Sequence, residues 1–135
     1  MNESILKALM RLFAIVSDIN KEGQSADRRD IIMDYLDRQY SYEIVQKYIE
    51  FFDEQVTLLR RMRYDPETAD LTVRKIQAEN RIIDLCSQVN EELEHEQKII
   101  VLIYLLDFIQ CGSKPTRTEL SLVRTAAAYL KIHEH

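Results

Sequence analysis

Turn-forming residues are scarce in this chain, which has two glycines and two prolines among 135 residues. A fold of many short strands needs a turn at each strand end, and glycine and proline form most of those turns. Their scarcity therefore argues against a β-sandwich or a β-barrel. Hydrophobic residues make up 46% of the chain and charged residues 30%, which is typical of a globular protein rather than a disordered one. We predict a single all-α domain over residues 1–135.

Cysteines and long apolar runs are also few. Cys86 and Cys111 lie far apart without C-x-x-C spacing, so neither a zinc site nor a disulfide framework is indicated. The longest apolar run, residues 99–106, has eight residues, whereas a membrane-spanning helix needs about 20. The N-terminal residues lack the basic region and the small-residue cleavage site of a secretory signal. We expect a cytoplasmic protein that does not insert into a membrane.

The charge balance is acidic, with a net charge of −5. This argues against general nucleic-acid binding, which depends on many cationic contacts to phosphates. Arg60, Arg61 and Arg63 form one local basic cluster. The simplest interpretation of this cluster is a helix end, because the helix dipole favours cations at the C-terminus. We therefore expect no nucleic-acid partner.

Catalytic motifs are missing as well. The sequence has no G-x-S-x-G, Walker A, dinucleotide-binding or H-E-x-x-H pattern. His95 lies in an acidic segment, and the other two histidines are among the last three residues. No nucleophile is accompanied by a base, so we predict that this chain is not an enzyme.

A repeat is the most informative feature that is present. The two glycines, Gly23 and Gly112, end two similar segments, and an aspartate stands five residues before each, Asp18 and Asp107. A short polar stretch and a new amphipathic pattern follow each glycine. This predicts a repeated helix–Gly turn–helix unit, with twofold similarity between residues 5–40 and 95–132.

Apolar periodicity predicts about six helices in a compact bundle. Ser41 is the expected cap of the third helix. The first helix has an apolar stripe formed by Ile5, Leu9, Leu12, Phe13, Val16 and Ile19. The expected helices span about 3–20, from a cap at Ser25 or Asp27 through Leu36, 41–62, from 71 to about 90, and 93–110. The last starts at a Thr116-x-x-Glu119 capping box. A break is expected at 64–68, around Pro66. The fifth helix is apolar on nearly all sides, so we expect it to be the central buried helix. Five of its residues are expected to be largely buried: Leu102, Ile103, Leu105, Leu106 and Phe108.

Acidic residues gather around the two glycine turns. Carboxylates at the end of one helix and the start of the next can converge across a turn, and such oxygen-rich groups suit Ca²⁺ or Mg²⁺. The alternative is that some of these acids cap helices and that Asp18 and Asp107 are solvated. The candidate metal ligands are Asp18, Glu22, Asp27, Asp30, Asp107 and Glu119.

The repeat, together with the residues 126–132 near the end of the chain, resembles the tellurite-resistance TerB-like family. Residues 5–16 are similar to the N-terminal TerB-like domain of Bacteroides-type ABC transporter ATP-binding proteins. The resemblance implies an all-helical bundle in which acidic residues near the turns bind metal. Family members usually carry aspartate directly before the turn glycine, where this chain has Glu22 and Cys111. This departure implies a degenerate first site and a weaker second one.

The resemblance leads us to expect a non-catalytic helical module that regulates or recruits. It would be the N-terminal domain of an ABC-type ATPase, with nucleotide hydrolysis in a C-terminal part of the same chain. A stand-alone metal-binding stress-resistance protein, a homo-oligomeric scaffold and, less favoured, a metal-dependent enzyme are the alternatives. Exposure of the fifth helix would favour the scaffold, since it would indicate a missing partner surface.

Overall fold

Six α-helices form the fold. The structure is a computed structural model that describes residues 3–19, 26–62, 71–111 and 114–132. Over these residues the chain has no β-strand, which confirms the all-α prediction. The helices are α1 (Glu3–Ile19), α2 (Ala26–Asp37), α3 (Tyr42–Met62), α4 (Leu71–Val89), α5 (His95–Gln110) and α6 (Arg117–Tyr129). Gly23, Gly112 and the expected break at 64–68 lie outside the described residues, so the similarity of the two turns stays a prediction.

Local sequence explains where several helices start. The carbonyl of Ser41 accepts the first helical hydrogen bond of α3, from the amide of Val45 at 3.0 Å. The Thr116 hydroxyl accepts from the Glu119 amide at 3.1 Å, and the Glu119 carboxylate accepts from the Thr116 amide at 3.0 Å. This reciprocal pair confirms the predicted capping box of α6. Glu94 caps α5, which therefore begins two residues after the expected start.

The C-terminal end of α6 is closed by a Schellman motif. The amide of Lys131 donates to the carbonyl of Ala128 at 3.2 Å, and the amide of Ile132 donates to the carbonyl of Ala127 at 3.4 Å. Lys131 has a φ of 54°, the left-handed conformation that this motif requires and that glycine usually supplies. The motif satisfies carbonyls that the helix end would otherwise leave without partners.

The centre of the bundle is α1. Of its 17 residues, 13 are buried, and it packs against α3, α4, α5 and α6. The six residues expected to form its inner stripe are all buried: Ile5, Leu9, Leu12, Phe13, Val16 and Ile19. Apolar residues between these positions, such as Leu6 and Met10, bury the remaining sides as well. Because four helices surround α1, it forms the interior of the fold.

The expectation that α5 is the central buried helix is wrong. Leu105 and Phe108 are fully buried, but Leu102 and Leu106 are half-buried and Ile103 is 50% exposed. α5 packs against α1, α2 and α6, and no other helix in the described part of the chain covers its outer face. Its apolar residues surround the whole helix, and only the inner ones meet a neighbour.

An aromatic cluster joins α5 to the core. The ring of Phe13 on α1 lies 5.6 Å from that of Phe108 on α5, in an edge-to-face arrangement. Phe52 on α3 reaches the same Phe108 ring at 6.5 Å, and Tyr35 on α2 lies 6.2 Å from Phe13. Aromatic pairs of this geometry add about 0.5–1.5 kcal/mol beyond the area they bury. The cluster therefore ties four helices together at one point.

Three apolar residues that belong to the helical patterns of α3 and α4 are exposed. Ile44 on α3 and both Val73 and Ile76 on α4 lie at the surface. The buried face of α4 is formed by Ala78, Ile82, Cys86 and Val89. Val73 and Ile76 stand on the opposite side of that helix, because a turn of 3.6 residues cannot bring them to the same face.

Candidate functional site

A buried ion pair lies where α2, α5 and α6 meet. The Arg28 guanidinium on α2 donates to the Glu119 carboxylate on α6, with 2.8 Å between Nη2 and Oε2. The two side chains are only 2% and 0% exposed. Such a pair stays charged in the interior only when its geometry offsets the cost of removing both ions from water. The pair therefore depends on the groups around it.

Several neighbours stabilise this pair. The other oxygen of Glu119, Oε1, accepts the hydrogen bond from the Thr116 amide. Arg28 also donates to the carbonyl of Ile109 at 3.4 Å, near the end of α5, and its guanidinium lies over the Phe108 ring at 5.2 Å. Both oxygens of Glu119 thus accept hydrogen bonds. Arg28 connects the start of α6 and the end of α5 to α2.

Arg28 is the important residue that sequence reasoning missed. The sequence nevertheless contains a signal for it. Arg28 stands four residues before Ile32 and seven before Tyr35, at the spacing of one helix face. This spacing places it on the buried face of α2. A charged residue on an apolar helix face indicates a buried partner of opposite charge, because an isolated buried charge is too costly.

The structure separates the described candidate metal ligands rather than gathering them. Glu119 is enclosed and bound to Arg28, whereas Asp30 and Asp107 are exposed on α2 and α5. Asp18 is buried at the end of α1, which contradicts the alternative in which it is solvated. Glu22 lies outside the described residues, and the structure does not describe the Asp27 side chain.

Metal coordination is not apparent in the described ranges. No group of three or more histidine, cysteine, aspartate or glutamate side chains in residues 3–19, 26–62, 71–111 and 114–132 is placed to hold an ion. The carbonyl of Asp18 lies 3.5 Å from Nη2 of Arg74 on α4, so a cation stands beside that helix end. Metal binding at the first turn, where Glu22 lies, stays a prediction.

Burial keeps two potentially reactive groups neutral. It raises the pKa of the Cys86 thiol to about 12 and that of the Tyr35 hydroxyl to about 12. A thiol acts as a nucleophile through its thiolate, so Cys86 is inert near neutral pH. Burial and the nearby carboxylate of Asp34 also raise the pKa of Tyr104, whose hydroxyl donates to Asp34 at 2.9 Å. These groups have structural roles.

A hollow on the surface separates α3 from α4. Both helices pack on α1 but make almost no contact with each other over their described residues. The hollow measures about 420 Å³, and we call it the α3–α4 trough. Its lining residues are Arg11 and Ile15 on α1, Gln55, Leu58 and Leu59 on α3, and Arg81, Asp84 and Leu85 on α4.

The trough combines apolar side chains with arginines. On the α3 wall, the side chain of Leu58 is 49% exposed. The Arg11 guanidinium lies over the Phe51 ring at 5.3 Å. Arg11 belongs to none of the ion pairs formed among the described residues. Phe51 does not line the trough, so the Arg11 guanidinium is held by a ring at its border.

A second apolar surface lies on the outer side of α5. Ile100 is 44% and Ile103 50% exposed, and Ile99 and Leu106 are half-buried beside them. We call these four residues the α5 ridge. Two exposed acids, Glu96 and Asp107, stand on the same side of the helix at either end of the ridge. A helix with an uncovered apolar strip between acids is typical of a protein-binding surface.

Comparison with protein-family models, curated proteins and solved structures finds no match for this chain. None of the helices, over the residues that the structure describes, has the length and apolarity to cross a lipid bilayer.

Proposed function

We propose that this protein is a non-catalytic helical interaction module that binds a partner through the α3–α4 trough. The observation that carries this proposal is the trough itself. Apolar side chains from three helices, Ile15, Leu58 and Leu85 among them, converge on one hollow that is open in the described part of the structure. A protein of this size has enough residues to close its core, so an open apolar hollow beside a filled interior favours a binding role.

The lining residues favour an α-helix as the bound element. Each wall presents residues at helical spacing: 55, 58 and 59 on α3, 81, 84 and 85 on α4, and 11 and 15 on the floor. Residues spaced by three and four form the ridges and grooves by which helices pack. Recognition by placing an amphipathic helix in a groove uses the same spacing.

The family resemblance supports a narrower form of this proposal. As an N-terminal TerB-like module, the chain would regulate an ABC-type ATPase, and the partner would be the C-terminal ATPase part of the same protein. The alternative of a stand-alone stress-resistance protein gives the module the same binding surface with a separate partner. In either form a divalent cation, Ca²⁺ or Mg²⁺, would act at the first turn as a regulator and not as a catalyst.

The α5 ridge favours a second candidate function, a homo-oligomeric scaffold. Ile100 and Ile103 present apolar surface to water on a helix whose inner face is fully packed. Association of copies would remove that surface from water and repay its exposure. Interaction and scaffold functions are compatible, because the ridge and the trough lie on different helices.

Selection of helical peptides tests the interaction function. A displayed library of amphipathic helices would be selected against the wild-type protein and against Leu58→Asp, which places a charge on the trough wall. Ile44→Asp is the matched control, since Ile44 is also an exposed aliphatic residue of α3 but does not line the trough. We expect selected peptides to bind wild type and Ile44→Asp and to bind Leu58→Asp at least tenfold more weakly. Equal binding to all three proteins would contradict the proposal.

A further inference from the structure

We infer that helix α2 opens away from the bundle as a unit while the other five helices stay together, and that this opening uncovers an aromatic surface. The inference does not rest on the proposed function, since no residue of α2 lines the α3–α4 trough. The backbone of α2 packs against α3 and α5. The other helices contact one another without it, because α1 packs against α3, α4, α5 and α6. Separation of α2 therefore leaves a connected bundle of five helices.

α2 has the highest fraction of charged residues among the six helices. Six of its 12 residues are charged, compared with three of 16 in α5 and three of 13 in α6. Its buried apolar face is formed by Ile32, Tyr35 and Leu36. Segments that bury little apolar surface need the least free energy to open locally. The composition of α2 therefore favours it as the helix that opens first.

Two exposed polar contacts attach α2 to its neighbours. Arg29 donates two hydrogen bonds to the Asp53 carboxylate on α3, at 2.9 and 3.2 Å, and both side chains are 46% exposed. The Tyr104 hydroxyl on α5 donates to Asp34 on α2 at 2.9 Å. Water replaces the lost partner when either contact breaks, so these contacts oppose separation only weakly.

The buried ion pair of Arg28 and Glu119 is also compatible with separation. Both ions are removed from water when α2 and α6 come together. In the open molecule water solvates both ions again, and this hydration offsets much of the attraction that is lost. An apolar contact has no such compensation, because apolar surface is unfavourable in water. The pair therefore specifies where α2 docks more than it strengthens the docking.

The interface between α2 and α5 is not closed along its whole length. A hollow of about 240 Å³ lies where α2 ends and α5 begins, and Tyr35, Gln39 and Ile100 are among its lining residues. Side chains beside an unfilled space lose the packing contacts that a close-packed interface provides. Docking of α2 is therefore less favourable at this end than close packing would make it.

Separation of α2 uncovers three aromatic rings. Tyr35 lies 6.2 Å from the ring of Phe13 on α1 and 5.1 Å from that of Tyr104 on α5. The Arg28 guanidinium lies over Phe108 on α5 at 5.2 Å. Phe13 and Phe108 are both 0% exposed in the closed molecule. Aromatic side chains contribute much of the binding energy of interfaces, so the open molecule presents a binding surface that the closed molecule conceals.

Native-state hydrogen exchange tests this inference. Amides throughout α2 should be at least tenfold less protected than those of α1, and their exchange should depend less on urea, because the opening exposes less surface than global unfolding does. Equal protection and equal urea dependence in α2 and α1 would overturn the inference, since α2 would then open only when the whole protein unfolds. Protection that falls gradually towards the ends of α2 would indicate fraying and would also overturn it.

Two substitutions outside α2 test whether the polar contacts control the opening. Asp53→Asn removes the charge that faces Arg29, and Tyr104→Phe removes the hydroxyl that donates to Asp34. Each should speed exchange in α2 at least threefold and leave exchange in α4 unchanged. The control Glu79→Gln removes the acid of an ion pair within α4 and should leave exchange in α2 unchanged. Variants at Asp53 and Tyr104 that speed exchange equally in all helices, or not at all in α2, would overturn the inference.

Discussion

The two most apolar helices of this molecule, α1 and α5, lie in different environments. α1 is surrounded by α3, α4, α5 and α6, and 13 of its 17 residues are buried. α5 has a continuous apolar run through residues 99–106, yet Ile100 and Ile103 face water. Apolar composition is similar in the two helices, so composition does not decide which of them becomes the centre.

Which of the two helices becomes the centre depends on the sides on which other helices pack against it. An apolar helix is covered only on the sides where another element packs, and among the described helices α5 has its neighbours on its inner side. The outer surface of α5 is therefore available for binding, whereas most of α1 is enclosed and contributes mainly to stability. The ion pair of Arg28 and Glu119 ties the end of α5 to α2 and α6.

Removal of the Arg28 side chain should have the largest effect. Arg28→Met leaves the fully buried Glu119 without its cation, and breaking a buried pair in this way costs about 3–5 kcal/mol. Urea unfolding followed by circular dichroism measures the loss. The double variant Arg28→Met/Glu119→Gln should recover part of it, because glutamine keeps the capping oxygen without the charge. A loss below about 1 kcal/mol for Arg28→Met would show that the pair does not support this junction.

Shortening a leucine on the inner side of each helix should have similar effects. Leu9 on α1 and Leu105 on α5 are both 0% exposed. Leu9→Ala and Leu105→Ala should each lower the free energy of unfolding by about 2–5 kcal/mol through lost burial and the cavity that remains. The same urea experiment measures both. If Leu105→Ala cost almost nothing, α5 would be a loosely attached helix rather than part of the core.

Shortening an aliphatic side chain on the outer side of α5 should have almost no effect on the stability of the monomer. Ile103→Ala removes a side chain that is 50% exposed, so we expect a change within about 0.5 kcal/mol at low protein concentration. Thermal unfolding at two concentrations would measure it. If Ile103 lies in an interface, wild type should gain stability at high concentration and Ile103→Ala should not. A loss of several kcal/mol at low concentration would show that the outer face is covered within one molecule.

Cation binding at the first turn should have the smallest effect. If Glu22 and its neighbours hold Ca²⁺ or Mg²⁺, a cation concentration equal to Kd stabilises the fold by about 0.4 kcal/mol. This corresponds to about 1–2 °C in Tm. Glu22→Gln should abolish the shift, whereas Glu119→Gln should leave it unchanged, because Glu119 is bound to Arg28. An identical Tm for wild type with and without millimolar cations would contradict metal binding.

Local signals predicted most of the fold. The capping box at Thr116 and Glu119, the start of α3 after Ser41 and the apolar stripe of α1 all lie where the sequence placed them. These features depend on residues within one or two helical turns of each other, so periodicity and capping chemistry are sufficient to find them. The candidate site was predicted poorly, since Arg28 was missed and Glu119 was assigned to metal.

The reason is the distance along the chain between the residues that meet. Arg28 and Glu119 are 91 residues apart, and the trough joins residues of α1, α3 and α4. No local pattern indicates which charged residue will face which, because that depends on how the helices pack. A buried carboxylate that caps its own helix looks the same in the sequence as one that binds a cation.

The sequence by itself determined that this protein is a bundle of helices, because scarce glycine and proline and the 3.6-residue apolar period allow little else. It also determined where helices begin, since caps act over a few residues. Only the tertiary structure decided that α1 and not α5 is the centre, that Glu119 is paired with Arg28, and that α3 and α4 leave a trough between them. Burial depends on which surfaces meet, and apolar residues on every side of a helix do not specify its neighbours.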